Sequence, residues 1–430
     1  MPDATNSLPI CYYTDTMSDD SKPHNTDQEM LMNVLRRKLG KPRVIVALTI
    51  VAAFVLLLLG QTRLAEQRQA SGLLDPIAEG SESRFATARV LEITDEGTVD
   101  LGGIAYPYQE LSVELTSSER KGEIVPIRNE IQFGSEEAQR VFAGEEIVVT
   151  STGDGDQEMF FVSDKYRFPS VLLLFVVFFG LTVLFAGWKG VTSLAGLGFT
   201  IYVLASYVVP SIVIGDDPMV VSLIGAVVIA SVTYFLAHGA GKRIIVALAG
   251  TMVAIAIAAF LSLIFVDVAR LFGTGSEEAV LLTISNQATI NLKGLLLGGI
   301  IFGTLGVLDD VTTAQAAAVE ELKRANPKLS MRELYTRASS IGREHIVSLV
   351  NTLVLAYIGS SFPLLLLFTL NNGVPLWLTF NSEFVIEEVI RSLIGSSVLI
   401  FAVPITTLIA AWVFSRVEPD PAGEHSHHHH

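Results

Sequence analysis

The sequence predicts an α-helical polytopic membrane protein of about 8 transmembrane helices. A small extracytoplasmic β-barrel or sandwich domain is expected between its first and second spans. Three observations predict this class. Apolar stretches at 44–60, 168–187, 190–213, 218–237, 243–266, 292–308, 345–370 and 389–414 approach the roughly 20 residues, about 30 Å of helix, that cross a bilayer core. Half of the 430 residues are hydrophobic and 17% are charged, against about 25% charged in an ordinary soluble domain. Mean hydropathy is +0.50. Lastly, residues 61–167 break the apolar pattern with short alternating runs separated by Gly, Asp and Ser.

Taken in order, residues 1–43 are rich in Asp, Ser, Asn and Pro and cannot bury a core, so a disordered cytoplasmic tail is expected. Its Cys11 is the one cysteine, which rules out an intrachain disulfide framework and reads as a free thiol. The stretch 44–60 follows more than 40 residues of tail, and no small-x-small cleavage site follows in 60–63. It therefore reads as a retained signal anchor. Arg36, Arg37, Lys38, Lys41 and Arg43 precede it, and Lys189, Lys242 and Arg243 follow the second and fourth spans. The gap after the sixth span carries Lys323, Arg324, Lys328, Arg332, Arg337 and Arg343, whereas 215–218 and 371–388 carry no base. The positive-inside rule then places both termini in the cytoplasm. The His-rich end 416–430 reads as a native tail or a purification remnant.

The formal net charge of −15 is concentrated in the N-terminal tail and in 61–167. It argues against nucleic acid as a partner, because phosphate binding needs a basic patch. Residues 61–83 read as a linker or short helix. Strands are expected near 87–93, 97–101, 109–115, 123–127, 130–133, 145–151 and 160–163, with a turn at Gly102-Gly103. The domain contains no His or Cys, so a structural zinc site is not expected. It reads either as a module that binds an envelope protein or as a rigid cap over the spans.

The membrane domain, 168–415, is expected to hold seven helices with a cytoplasmic helical loop at 311–344. Polar residues at membrane depth are costly, so function is sought there. Gly294, Gly298, Gly299, Gly303 and Gly306 give the sixth span a small-residue surface for close helix packing. Asp309-Asp310 follows, and helical propensity continues through Thr312, Thr313 and Gln315 until Asn326-Pro327. The two acids therefore sit inside a helix at the cytoplasmic boundary, about 100° apart, so at most one faces the bundle. They read as a protonatable or cation-coordinating site, or as solvated charges that end a span.

Arg343, Glu344 and His345 open the seventh span, and Asn351 and Thr352 lie one to two turns deeper. Arg343 or His345 is expected to meet an aspartate across the cytoplasmic mouth. Breaks are expected at 359–363 and around Pro404, as in transporters with interrupted helices. Arg391 is expected to snorkel to the outer surface, and 277–284 reads as an interfacial or re-entrant helix. Residues 240–243 lack the glycine and the Ser/Thr of a phosphate loop, and no HExxH or nucleophile-elbow motif is present. No enzyme activity, resident metal or cofactor is expected.

From 295 onward the chain resembles the YibE/F-like family of bacterial membrane proteins. The resemblance rests on the Gly-rich run into Val307-Leu308-Asp309-Asp310-Val311-Thr312, then Ile341-Gly342-Arg343-Glu344-His345 and Asn351 to Gly359. It covers about 168–415. The doubled aspartate departs from the single one of many relatives. The resemblance implies a multipass bacterial plasma-membrane protein and leaves its substrate open.

The sequence favours a transporter or export component for a small solute or ion, with Asp309 or Asp310 as the coupling or gating carboxylate. A scaffold or sensor whose β-domain recruits an envelope partner is the alternative. A homo-oligomer is compatible with either.

Overall fold

The computed structural model describes residues 84–416 apart from short stretches at 102–103, 119, 132–135, 154–157, 285–289, 364–365, 367–369, 371–372 and 374. The expected tail 1–43, first span 44–60, linker 61–83, turn 102–103 and nearly all of the His-rich end lie outside the described residues.

Alternation of apolar and polar side chains builds the N-terminal part from five strands: β1 (Arg84–Leu101), β2 (Ile104–Leu115), β3 (Ile124–Glu130), β4 (Glu146–Thr152) and β5 (Met159–Lys165). A single helical turn, α1 (Glu136–Gln139), separates β3 from β4. In β3 and β4 every second residue is buried, so Val125 and Ile127 join Ile147 and Val149 in one core. The strands are antiparallel in the order β3-β2-β1-β4-β5, and β3 also lies against β5. This closure, with a helix between the third and fourth strands, is the topology of a small OB-type barrel.

The two strands expected at 87–93 and 97–101 form one. Bulges between Val90 and Glu92 and between Ile93 and Asp95 bend β1, and it pairs with β2 on one side and β4 on the other. Of the run expected at 130–133, Glu130 ends β3, and 132–133 lie outside the described residues.

The remainder is helical. Helix α2 (Phe168–Val203) passes through one π turn (Leu204–Val208) into α3 (Val209–Ile214). Next come α4 (Pro218–His238), α5 (Lys242–Val268), a short α6 (Glu277–Ile284), α7 (Leu292–Ala325) and α8 (Met331–Ser360). A short α9 (Leu376–Phe380) leads to α10 (Glu383–Ser415).

Among the described residues, five helical segments are long and apolar enough to cross a membrane: Phe168–Ile214, α4, α5, α7 and α10. This is fewer than the eight expected, for three reasons. The stretch 44–60 is not described. Spans 168–187 and 190–213 fall in one continuous run. Span 345–370 begins as the second half of α8, whose first half is charged and starts at a Ser330–Glu333 capping box.

The long run is not one straight rod. Forty-seven residues would extend about 70 Å, more than twice a bilayer core. Gly187 breaks it with φ 57° and ψ −139°. Beyond the break the chain turns back sharply: a Cβ on Gly190 would lie 2.5 Å from the carbonyl oxygen of Thr182. In a straight helix, residues eight apart are about 12 Å apart. The arm before Gly187 buries no side chain and is apolar all round, the pattern of a helix surrounded by lipid.

Helix α7 lies centrally and packs on α4, α5, α8 and α10. Two ion pairs bracket its contact with α5. Lys293 donates to Asp267 at 2.8 Å, and Arg243 lies 3.7 Å from Glu320. Lys293 and Glu320 are 27 residues apart along α7, about 40 Å, the thickness of a bilayer with its headgroups. The expected break at Pro404 does not occur, because α10 runs unbroken through it. Arg391 pairs with Glu388 at 2.9 Å. At the start of α10, Glu383 accepts hydrogen bonds from the backbone N–H groups of Phe272 and Gly273, at 2.6 and 2.9 Å, tying down the loop after α5.

Two predictions follow from these constraints. The φ/ψ of Gly187 suits glycine alone, so Gly187→Ala is expected to cost roughly 1–3 kcal/mol and lower the unfolding temperature in detergent. Gly180→Ala, where a Cβ meets nothing within 4 Å, should not lower it. In the barrel, hydrogen bonds from Ser151 and Arg120 hold Glu158 below its ordinary value, and Arg120 does the same for Glu123. A depressed carboxylate adds stability above its unfolded value near 4.5 and loses it as pH falls below that. Protection factors of the amides at 115–118, 120–123 and 158–160, taken relative to the intrinsic exchange rate at each pH, should therefore fall below about pH 4.5, and less so in Arg120→Gln.

Candidate functional site

Three of the polar side chains buried in the helices meet beside α7. Tyr234 of α4, Thr251 of α5 and Thr312 of α7 are all fully buried and form a triangle of hydroxyls. Tyr234 Oη lies 2.5 Å from Thr251 Oγ1 and 2.7 Å from Thr312 Oγ1, and the two threonines are 3.0 Å apart. Thr312 also reaches its own helix at the Leu308 carbonyl, 2.9 Å away. Next to the triangle, Gly250 lets α10 approach, since a Cβ there would press on Thr406.

Asp309 stands three residues before Thr312 and borders a cavity of about 400 Å³ between α2, α4 and α7. Its Oδ1 is buried and has no hydrogen-bond partner among the described residues. His238, at the end of α4, places its Nε2 3.7 Å from that oxygen, beyond hydrogen-bond reach. Ser193, Thr200, Thr233 and Tyr234 add hydroxyls to the lining. Those of Thr200 and Thr233 donate to the Gly196 and Ile229 carbonyls of their own helices, at 3.0 and 2.8 Å. Asp309 lies eleven residues before Glu320, about 16 Å along α7 from the Arg243–Glu320 pair, and level with His238, the last residue of α4.

The other expected residues separate by helix face. Asp310 is exposed and points away from the cavity. Thr313 is half-buried and donates to the Asp309 carbonyl at 2.7 Å. Gln315 is buried and donates to the Ala338 carbonyl of α8 at 2.9 Å, with its own Oε1 unpaired. Arg343, Glu344, His345 and Asn351 are exposed on α8. The expected meeting of Arg343 or His345 with an aspartate is therefore not formed; His238 takes that place. Of the packing glycines, Gly294 faces Pro218, Gly298 faces Ser222 and Gly303 faces Tyr357. Gly299 and Gly306 face open space, because a Cβ on either would meet nothing within 4 Å.

A family model described as YibE/F-like protein matches residues 174–416, which takes in every membrane-depth residue just described. The chain belongs to the YibE/F-like family. No curated protein and no solved structure matches it. With the family established, the five long apolar helices identify a membrane protein. The matched region begins within α2, so the barrel lies outside it.

Sequence reasoning missed Tyr234, Thr251 and His238. Each is a lone polar residue in or at the end of an apolar run, and the usable signal was their spacing from the ends of α4 and α5 rather than any motif. The triangle predicts strong coupling. Tyr234→Phe and Thr312→Val should each cost about 1–3 kcal/mol in denaturant unfolding from detergent, and the double variant less than their sum. Thr313→Val, whose hydroxyl serves only its own helix, should stay within about 0.5 kcal/mol.

Proposed function

We propose that this protein is a transporter or export component that moves a small solute or ion across the bacterial cytoplasmic membrane. In this reading both termini are cytoplasmic and the barrel lies on the outer side. One observation carries the proposal: a carboxylate about 16 Å along α7 from the Arg243–Glu320 pair borders a cavity, and one of its oxygens is buried without a hydrogen-bond partner among the described residues. A partly buried ionisable group in a membrane domain is costly and is kept where it meets a substrate, an ion or a proton. Asp309 is the coupling residue in this reading, and Asp310 is not.

A second reading has support of its own. Phe85 and Phe161 both pair with Thr150 across adjacent strands, so they share one outer face of the barrel. They are 67% and 46% exposed, and Met159 beside them is 61% exposed. An apolar patch on so small a domain marks a docking surface, which fits a scaffold that recruits an envelope protein.

Flux separates the two readings. In proteoliposomes screened with amino acids, organic acids, organic amines and metal ions, Asp309→Asn should abolish solute-dependent charge movement, while Asp310→Asn and Phe85→Ser/Phe161→Ser should retain it. Equal flux in wild type and Asp309→Asn would remove the transport role from this site.

A further inference from the structure

The chemistry of the Asp309 cavity narrows what it can hold. This step rests on reading the cavity as the substrate site. At about 400 Å³ it falls in the range of small-molecule sites and is far larger than a proton relay requires. An anion is disfavoured, because Asp309 is the charged residue in the lining and neither Lys nor Arg stands there.

A bare metal ion fits poorly as well. Such ions take about six oxygen ligands at roughly 2.0–2.6 Å, usually with several carboxylates. Among the described residues no group of three His, Cys, Asp or Glu could hold a metal ion. The cavity's hydroxyls are also largely committed elsewhere. Thr200 and Thr233 donate into their own helices, and Tyr234 belongs to the buried triangle. A neutral polyol, which needs many free donors and acceptors, finds few.

One carboxylate remains in the lining, its side chain 31% exposed and its buried Oδ1 turned to His238 at 3.7 Å, beside an apolar wall of Leu197, Leu204, Phe302 and Leu305. A carboxylate recognises an ammonium by a charge-assisted hydrogen bond, and an aromatic ring and aliphatic side chains take an apolar body. The cavity owes room on two sides to Gly196 and Gly306. We propose that the Asp309 cavity binds a small organic cation, with its ammonium on Asp309 and its hydrocarbon portion against Phe302 and Leu305.

Gly306 offers a test that leaves the carboxylate untouched. A Cβ there meets nothing within 4 Å, so Gly306→Leu can be accommodated while its side chain occupies the cavity. The full chain, purified in detergent, would be titrated calorimetrically with butylammonium and tetramethylammonium. Butanol, butyrate, sodium and calcium would serve as comparison probes. The expected result is saturable binding of at least one ammonium, weakened tenfold or more by both Asp309→Asn and Gly306→Leu and unchanged in Asp310→Asn. Unfolding curves would confirm that each variant is folded.

Absence of ammonium binding at 10 mM (about 2.7 kcal/mol of affinity) would overturn the proposal. So would equal ammonium binding by folded Asp309→Asn, or displacement of the ammonium by equimolar sodium or calcium. The measurement needs no flux, so the two readings fail separately. Ammonium binding without transport keeps the site and loses the transporter; solute-driven current without ammonium binding does the reverse.

Discussion

Three hydroxyls, matched to one another across three helices, fix the arrangement of the membrane helices. In an apolar interior a buried hydroxyl without a partner costs about 1–3 kcal/mol, and lipid offers no substitute. Tyr234, Thr251 and Thr312 come from three different helices, so each helix holds the other two in register. Sliding any one by a turn, 5.4 Å, would break two of the three contacts. The register then decides the chemistry. Asp309 is three residues from Thr312 and shares its side of α7, so the contact that pins Thr312 inward places Asp309 at the cavity. Asp310, about 100° further round, is carried to the outside.

The ends of the same helices follow a complementary rule. Charges collect where water or headgroups can solvate them, and the Lys293–Asp267 and Arg243–Glu320 pairs mark those levels on α5 and α7. Between them α7 buries Leu296, Leu297, Ile300, Ile301, Thr304 and Leu308 before reaching the triangle. The small residues matter here through distance alone. Gly298 against Ser222 and Gly250 against Thr406 let α4 approach α7 and α10 approach α5, close enough for short side chains to meet.

Much of this architecture was legible in the sequence, because span length and strand alternation are local signals. The ends of α4, α5 and α7 fall close to the expected limits, and Asn326-Pro327 stops α7 as expected. The 100° separation of Asp309 and Asp310 also indicated that only one could face inward. What was not legible depends on long-range pairing. The single long β1 needed two bulges and two partners to be recognised, and neither follows from alternation. His238 was missed because it reads as the end of a span, and only the packing of α4 on α7 brings it to Asp309. Pro404 suggested a broken helix, yet α10 loses one backbone donor there and stays continuous, held by buried neighbours such as Ala402 and Val403.

The cavity that results has unequal walls. Its α4 and α7 sides are joined through the hydroxyl triangle, so their separation is set by hydrogen bonds of 2.5–3.0 Å. Its α2 side is built differently. Thr200 donates back into α2, Gly196 packs on the Thr233 side chain at ordinary contact distance, and Leu197 and Leu204 add only apolar surface. Apolar contact is non-directional and changes little as helices slide, whereas hydrogen bonds are lost within an ångström. Asp309 therefore stands on the wall whose position is fixed, opposite the wall that is free to adapt to what lies between them.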